Sequence, residues 1–290
     1  VSDFMFGGME NITLTHNADR TMHDARAVPD HSSDGLVAHE LAHQWYGDMI
    51  TTRNWANIWL NEGFATFFSR LYQTYNLGLD EGDYIRLGEI RGYHGNDKRN
   101  RRPTVHFEYF VPMELFDSHV YAKGSLILNM IEDVLGEEGF WRAIRHYTNE
   151  NKMKNVETTD LKKAIEEITG QNLDWFFKQW VYEPGFPEYN VSWSYNQRTK
   201  TLKLHVRQTQ DLKKSNLFKM PVRVLIDNGE VTEHTVWVED QETVFDLPCT
   251  FRPKMVIFNS GMRIPSKLKM GKSVTDLKYQ LQNASNVLDR

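Results

Sequence analysis

Apolar residues follow two rhythms along the chain. Up to about residue 182 they recur every three or four positions; beyond Pro187 they alternate. The first rhythm is that of a helix with one buried face and the second that of a half-buried strand. Trp55, Trp59, Leu60, Phe64, Phe67, Phe68 and Leu71 predict one helix, and Leu126, Ile127, Met130, Ile131 and Val134 another, stopped by Gly136. Further helices are predicted at 137–150, 159–169 and 172–182, with Thr159 and Asn172 as N-caps and Gly170 and Pro184 as stops. Alternating runs at 189–195, 201–208, 218–226, 231–238, 242–247 and 255–259 predict six short strands, with Asp227-Asn228-Gly229 as a turn between two of them.

Two stretches lack a strong rhythm. Residues 1–16 read as extended, since Phe4, Phe6, Ile12 and Leu14 alternate with small or polar residues around a glycine pair. Residues 80–118 read as loop-rich, and Lys98, Arg99, Arg101 and Arg102 there read as a solvated basic face. Glu183-Pro184-Gly185-Phe186-Pro187 marks the boundary between regimes. The expected organisation is a mainly helical domain over 1–185, a small antiparallel β-sandwich over 186–264, and a linker leading into a helical segment over 265–290.

Composition narrows the class. Hydrophobic residues make up 40% of the 290, enough to fill a sizeable core. The net charge of −5 argues against a nucleic-acid partner, and no apolar run is long enough to span a membrane. The lone Cys249 excludes an internal disulfide, which suits a reducing compartment and a disulfide-free exported protein alike, so the compartment stays open. The chain has no initiator Met and opens and closes in mid-pattern, so it is expected to be a piece of a longer protein.

The chemistry concentrates in Val37 to Phe64. His39-Glu40-Leu41-Ala42-His43 is followed, eighteen residues after His43, by Glu62 within Asn61-Glu62-Gly63. Imidazoles four residues apart share one helical face. Two imidazoles and a carboxylate from a second helix make a three-ligand zinc site with an open fourth position, and Glu40 is placed as general base rather than ligand. Ser33 or Asp34 is the expected cap of this helix, Gly47-Asp48 its end, and Asp48, Asn57 and Asn61 the nearby partners available to orient the histidines.

HELAHQWYGD followed by WLNEGFATFF resembles the zinc aminopeptidases of the aminopeptidase N and leukotriene hydrolase (gluzincin) family. Gly7-Gly8-Met9-Glu10-Asn11 resembles that family's exopeptidase motif, and Val120-Tyr121-Ala122-Lys123-Gly124 its catalytic tyrosine segment, with Ala122 in place of the usual Glu. The resemblance implies an α+β fold, with a partial thermolysin-like domain before the sandwich, and one zinc ion per chain held by His39, His43 and Glu62. It implies a peptide substrate with a free N-terminus, laid along Gly7, Gly8, Met9, Glu10 and Asn11, with Glu10 taking the α-ammonium and Tyr121 donating to the oxyanion. Phe6, just before the glycine pair, is expected to favour an apolar first residue. It also implies that residues 1–16 lack most strand partners and expose apolar surface. Two alternatives stay open: an epoxide hydrolase of the leukotriene-hydrolase type, and a non-catalytic interaction module on a protease fold.

Overall fold

The computed structural model describes residues 1–28 and 30–290 and divides into two compact units, Val1–Phe177 and Lys178–Arg290. In the first unit a two-residue hairpin, β1 (Gly8–Met9) with β2 (His16–Asn17), precedes α1 (Asp34–His43). Then come β3 (Ile50–Thr52), α2 (Trp59–Leu77), α3 (Leu79–Arg99), α4 (Ala122–Leu135), α5 (Glu137–Asn151), β4 (Lys154–Val156, parallel to β3), α6 (Thr158–Thr169) and the single turn α7 (Asp174–Phe177). Among the described residues no helix is long and apolar enough to cross a membrane.

The core of this unit is aromatic. Tyr46 stacks on Phe64 and Phe68 at 4.3 and 5.3 Å between ring centroids, and Phe64 stacks on Tyr147 at 5.8 Å. Each such ring removed from water contributes about 1.5–3 kcal/mol. The rings also need polar partners: Tyr46 Oη bonds Thr148 Oγ1 at 2.8 Å, and Trp59 Nε1 donates to Thr158 Oγ1 at 2.9 Å. Helix α4 is buried all round from Ala122 to Ile131, and α2 lies across it. At the crossing, a Cβ on Gly63 would stand 2.8 Å from the Gly124 Cα, and a Cβ on Gly124 would stand 2.8 Å from the Gly63 Cα. Only two glycines allow so close an approach.

Several expectations need correcting. The stretch 80–118 begins with the long helix α3 rather than a loop. Its buried face is Gly82, Arg86, Glu89, Ile90, Tyr93 and Asp97, at helical spacing but mostly polar, and it carries four glycines (82, 88, 92 and 95). A hydrophobic pattern cannot register such a face, and the glycines lower its helix propensity. Those polar groups are paired: Glu89 with Arg70 and Ser125, Arg86 with Asp83, and both arginines with Asn129.

The basic residues that follow are not all solvated, because Arg102 is buried and bonds Asp117 at 2.6 Å while Arg101 bonds Asp97 at 2.7 Å. Residues 1–16 are strand only at Gly8, Met9 and His16 rather than extended throughout, and, as expected, they are poorly paired and expose Met5, Ile12 and Leu14. Helix α1 already ends at His43, and the chain turns through Gly47 afterwards. Ser33 stands at its N-cap position, but its hydroxyl donates to Thr21 O at 2.8 Å instead of capping. The cap of α6 is Glu157, two residues before the expected Thr159, and its N–H donates to Asp160 at 2.7 Å. Asn172 does accept from the Asp174 N–H at 2.9 Å, but α7 stops after four residues and a π-helical turn, Lys178–Tyr182, replaces the rest.

The second unit is a sandwich of two sheets. One has the order β10-β7-β8 and the other β11-β5-β6-β9, where β5 is Glu188–Asn196, β6 Thr201–Gln208, β7 Met220–Asp227, β8 Val231–Val238, β9 Glu242–Pro248, β10 Met255–Phe258 and β11 Lys267–Met270. Alternation in β6 and β7 puts Leu202, Leu204, Val206, Met220, Val222 and Val224 inside. The segment from 265, expected as linker and helical start, is part of this unit. β11 pairs in parallel with β5, and α8 (Val274–Asn283) packs on β10, where Tyr279 donates to Asp227 at 2.8 Å. Lys267-Leu268-Lys269-Met270 gave no strand signal because it is a short, exposed edge, and lysines suit an edge.

Two outcomes follow from this packing. Gly63→Ala and Gly124→Ala each force the crossing apart, an overpacking cost of about 1–3 kcal/mol that thermal unfolding should read as a Tm lowered by several degrees. Gly88→Ala, at an exposed α3 position with open space for a methyl, should leave Tm unchanged or raise it. If all three behave alike, the crossing is not close-packed.

The second outcome concerns acid. Burial opposes ionisation of Asp97 and Asp117, but His119 with Arg101 outweighs it for Asp97, and His119 with Arg102 for Asp117, so both stay below the usual carboxylate range. A depressed carboxyl pKa gives stability that is complete above the unfolded value of about 3.9 and is lost as pH falls through the folded value. Asp117→Asn should therefore lower Tm at neutral pH and flatten its decline below about pH 4; an unchanged slope there would remove Asp117 from the account.

Candidate metal and catalytic site

Helix α1 presents His39, Glu40 and His43, and the first turn of α2 presents Glu62, because the two helices pack directly against each other. His39 Nε2 lies 3.0 Å from His43 Nε2, and Glu62 Oε2 lies 3.2 and 3.3 Å from the two imidazoles. A tetrahedral zinc with bonds of about 2.0–2.2 Å holds its donors about 3.3 Å apart. The three residues therefore fit that ion in number, chemistry and spacing. Glu10, Glu40 and His43 form a second convergent group, whose ligand atoms lie within 4.8 Å of one another.

The environment sets the protonation of these groups. Burial penalises the charged form of both Glu62 and His43, yet each stabilises the other: the imidazoles hold the Glu62 carboxyl well below its ordinary value, and the carboxylate raises His43. Protons and a cation compete for the same three atoms. His43 Nδ1 lies 2.9 Å from the Tyr46 carbonyl; that N–H···O bond leaves Nε2 of a neutral ring as a lone pair facing Glu62. Sequence reasoning missed this orienting partner because it is a backbone atom. Of the side chains it considered, Asp48 bonds Gln44 at 2.8 Å and Asn57 bonds Asn54 and Thr158.

Glu40 is buried, and burial raises its carboxyl to about 7, with His43 opposing and Glu10 and Glu62 adding to the rise. Its carboxylate lies against β1. A Cβ on Gly8 would stand 2.2 Å from Glu40 Oε1, so a side chain at position 8 fits only if Glu40 turns away.

All of this opens into a cavity of about 1380 Å³ whose lining includes Gly7, Gly8, Met9, Glu10, His39, Glu40, His43, Glu62 and Tyr121. Asn11 is not in that lining; its side chain bonds His16 at 2.7 Å. Gln44 anchors β1 by donating to the Glu10 carbonyl at 2.8 Å. Tyr121, the residue just before α4, stacks on His39 at 6.1 Å, and burial followed by Glu62 raises its phenol. Phe116 stands 6.4 Å from the rings of Tyr121 and Phe6 and 6.0 Å from Trp55, which gives the cavity an aromatic wall absent from the motifs.

Comparison with known proteins adds an independent line. Residues 1–180 match the peptidase family M1 domain, and residues 184–280 match the TAF2 Ig-like domain. Tricorn protease-interacting factor F2 of Thermoplasma acidophilum is 34% identical over 199 residues, covering 66% of this chain and 25% of the relative. A leucyl aminopeptidase of Saccharolobus solfataricus is 30% identical over 259 residues, covering 85% and 32%. The crystal structure of Legionella pneumophila aminopeptidase A in complex with aspartic acid superposes with a TM-score of 0.83 at 23% identity, covering all of this chain and 33% of that one. The last likeness speaks for the fold alone. The chain thus spans a quarter to a third of the length of these relatives.

Proposed function

The chain belongs to peptidase family M1, and we propose that it carries the catalytic centre of a zinc aminopeptidase that removes the first residue of peptides with a free N-terminus. The observation that supports this best is the convergence of His39, His43 and Glu62 beside a buried Glu40, in one cavity with Glu10 and Tyr121.

His39, His43 and Glu62 hold one zinc ion, which when bound activates water and polarises a carbonyl. The peptide lies along β1, where Gly7 and Gly8 let its backbone approach closely. Glu10 pairs with the α-ammonium, and in a partly desolvated cavity lined by several carboxylates that cation is favoured. Glu40 accepts the proton of the attacking water at its carboxylate and passes it to the leaving amine. Its position near neutrality serves both halves of that transfer. Tyr121 keeps its phenolic proton at every working pH and donates a hydrogen bond to the developing oxyanion. Phe6, Trp55 and Phe116 supply apolar surface in the same cavity, which suits an apolar first side chain.

Glu40→Gln should retain zinc, measured by elemental analysis, while kcat falls by roughly 10²–10⁴. His39→Ala should lose stoichiometric zinc as well as turnover. Retention of most of the rate by Glu40→Gln would remove the general-base assignment.

Amine recognition has its own test. N-acetylation of a good peptide substrate should abolish cleavage, and Glu10→Ala should narrow the difference between free and blocked peptides by raising KM for the free one. Equal cleavage of both forms by the unaltered protein would mark an endopeptidase.

A further inference from the structure

The Tyr121 ring stacks on His39 and leans at a tilt on Phe116, and its hydroxyl is a hydrogen-bond partner of Glu62; all three are side-chain contacts of a ring carried by the backbone before α4. Where the phenol oxygen sits therefore depends on where the backbone before α4 is held. That backbone is the loop from Phe116 to Val120, in which two residues reach buried partners: Asp117 bonds Arg102, and His119 bonds Asn96 and faces Asp97.

The Asp117 carboxylate accepts from Arg102 Nη2 at 2.6 Å and from the His119 N–H at 2.8 Å, and it lies 3.1 Å from His119 Nδ1. Its carbonyl accepts from the Val120 and Tyr121 N–H groups at 3.1 and 3.3 Å. One residue thus joins the backbone of Tyr121 to a buried base. The base is rigid: Arg102 also donates to the carbonyls of Pro103 and Leu115, both at 2.9 Å, and the His119 ring stands between Asp117 and the Asp97 carboxylate, 3.6 Å away, with its face toward Tyr93. His119, Asp97 and Lys123 are at most 1% exposed, and Lys123, in the first turn of α4, points its ammonium at the Tyr93 ring 5.1 Å away. A buried polar cluster is seldom more stabilising than an apolar core of the same volume, so its presence behind the loop of Tyr121 calls for a reason beyond stability.

We propose that Asp117 is a positioning residue for Tyr121, transmitting the fixed geometry of the Arg102–His119–Asp97 cluster to the phenol oxygen. The proposal rests on the oxyanion role given to Tyr121 above. It differs from a purely structural role in one respect: its effect on turnover must pass through the Tyr121 hydroxyl.

A four-member cycle in the zinc-loaded protein tests this: unaltered, Asp117→Asn, Tyr121→Phe and the double variant. Each is assayed for kcat and KM on an aminoacyl-arylamide, for zinc content, and for the Kd of a phosphinic dipeptide by calorimetry, the phosphinate standing in for the tetrahedral oxyanion. Tyr121→Phe should lower kcat by roughly 10²–10³. Asp117→Asn should lower kcat by about tenfold, as expected for a donor shifted by a fraction of an ångström, with KM and zinc nearly unchanged. In the Tyr121→Phe background it should add less than about twofold, and the phosphinate Kd should show the same non-additivity. An equal loss in both backgrounds, or a loss confined to KM or zinc content, overturns the proposal and leaves the Tyr121 assignment standing. Full turnover by Tyr121→Phe alone overturns that assignment instead. If Asp117→Asn does not fold, His119→Gln enters the same cycle with the same expectations.

Discussion

The contact between Gly63 and Gly124 sets the scale of the site. Helices normally pack with their axes 8–10 Å apart, the distance that ordinary side chains require. Here a Cβ on either glycine would fall 2.8 Å from the other's Cα, so α2 and α4 meet backbone to backbone. Glu62 is the residue before one of these glycines, and Tyr121 stands three residues before the other. A carboxylate from one helix and a phenol from the start of the other are thereby brought to the same side of His39. Neither glycine contributes a side chain to the site, yet the spacing of Glu62, the proposed metal ligand, and Tyr121, the proposed oxyanion donor, is inherited from them. The same logic operates at Gly8, where the lack of a side chain lets β1 lie against Glu40.

Around this fixed crossing the site accumulates negative charge. Glu10, Glu40 and Glu62 line one cavity and Asp48 lies close to it; burial raises Glu40 while Glu62 is held down by the two imidazoles. In the proposed reading, a divalent ion at His39, His43 and Glu62 and the α-ammonium of a substrate at Glu10 would offset this charge. The polar cluster behind Tyr121 is arranged differently, since Arg101 and Arg102 pair with Asp97 and Asp117 within the protein. In the proposed reading the first cluster is open to ligands, while the second draws its cations from the chain.

How much of this could be read from the chain depended on whether the relevant contact is local. His39, Glu40 and His43 were legible because four residues on a helix fix one face, and Glu62 because a second apolar rhythm announced the helix that carries it. The strands β5 to β9 were legible because each alternates between a wetter and a drier face, and β10 as a short apolar run that is buried on both faces. Helix α3 was not, because its buried positions include Arg86, Glu89 and Asp97, which pair with Asn129, Arg70 and Ser125 far off in sequence and with Arg101 one turn on, and polar positions leave no apolar rhythm. The Tyr46 carbonyl that orients His43 was invisible for a simpler reason: every residue has a carbonyl. The Phe116 wall and the Asp117 hub lie in a stretch whose charges suggested a solvated loop, and only the neighbours reveal that Arg102 is buried.

The two kinds of failure have a common cause, and it bears on how the site is built. Hydrophobic pattern registers which positions leave water; it says nothing about polar positions that leave water in company. In this chain such companions cluster behind α4, beneath the loop that carries Tyr121. His39, Glu40 and His43 are held by helix α1, and Glu62 by the first turn of α2. Tyr121 precedes its helix, and its ring is placed by stacking on His39 and by a hydrogen bond with Glu62. A loop residue whose hydroxyl must be placed to a fraction of an ångström needs directional bonds, because apolar packing has no preferred angle. Directional bonds inside a core require buried donors and acceptors that satisfy one another. The polar face of α3, which hid that helix from the sequence, is therefore the part of the fold best suited to holding the loop that presents Tyr121.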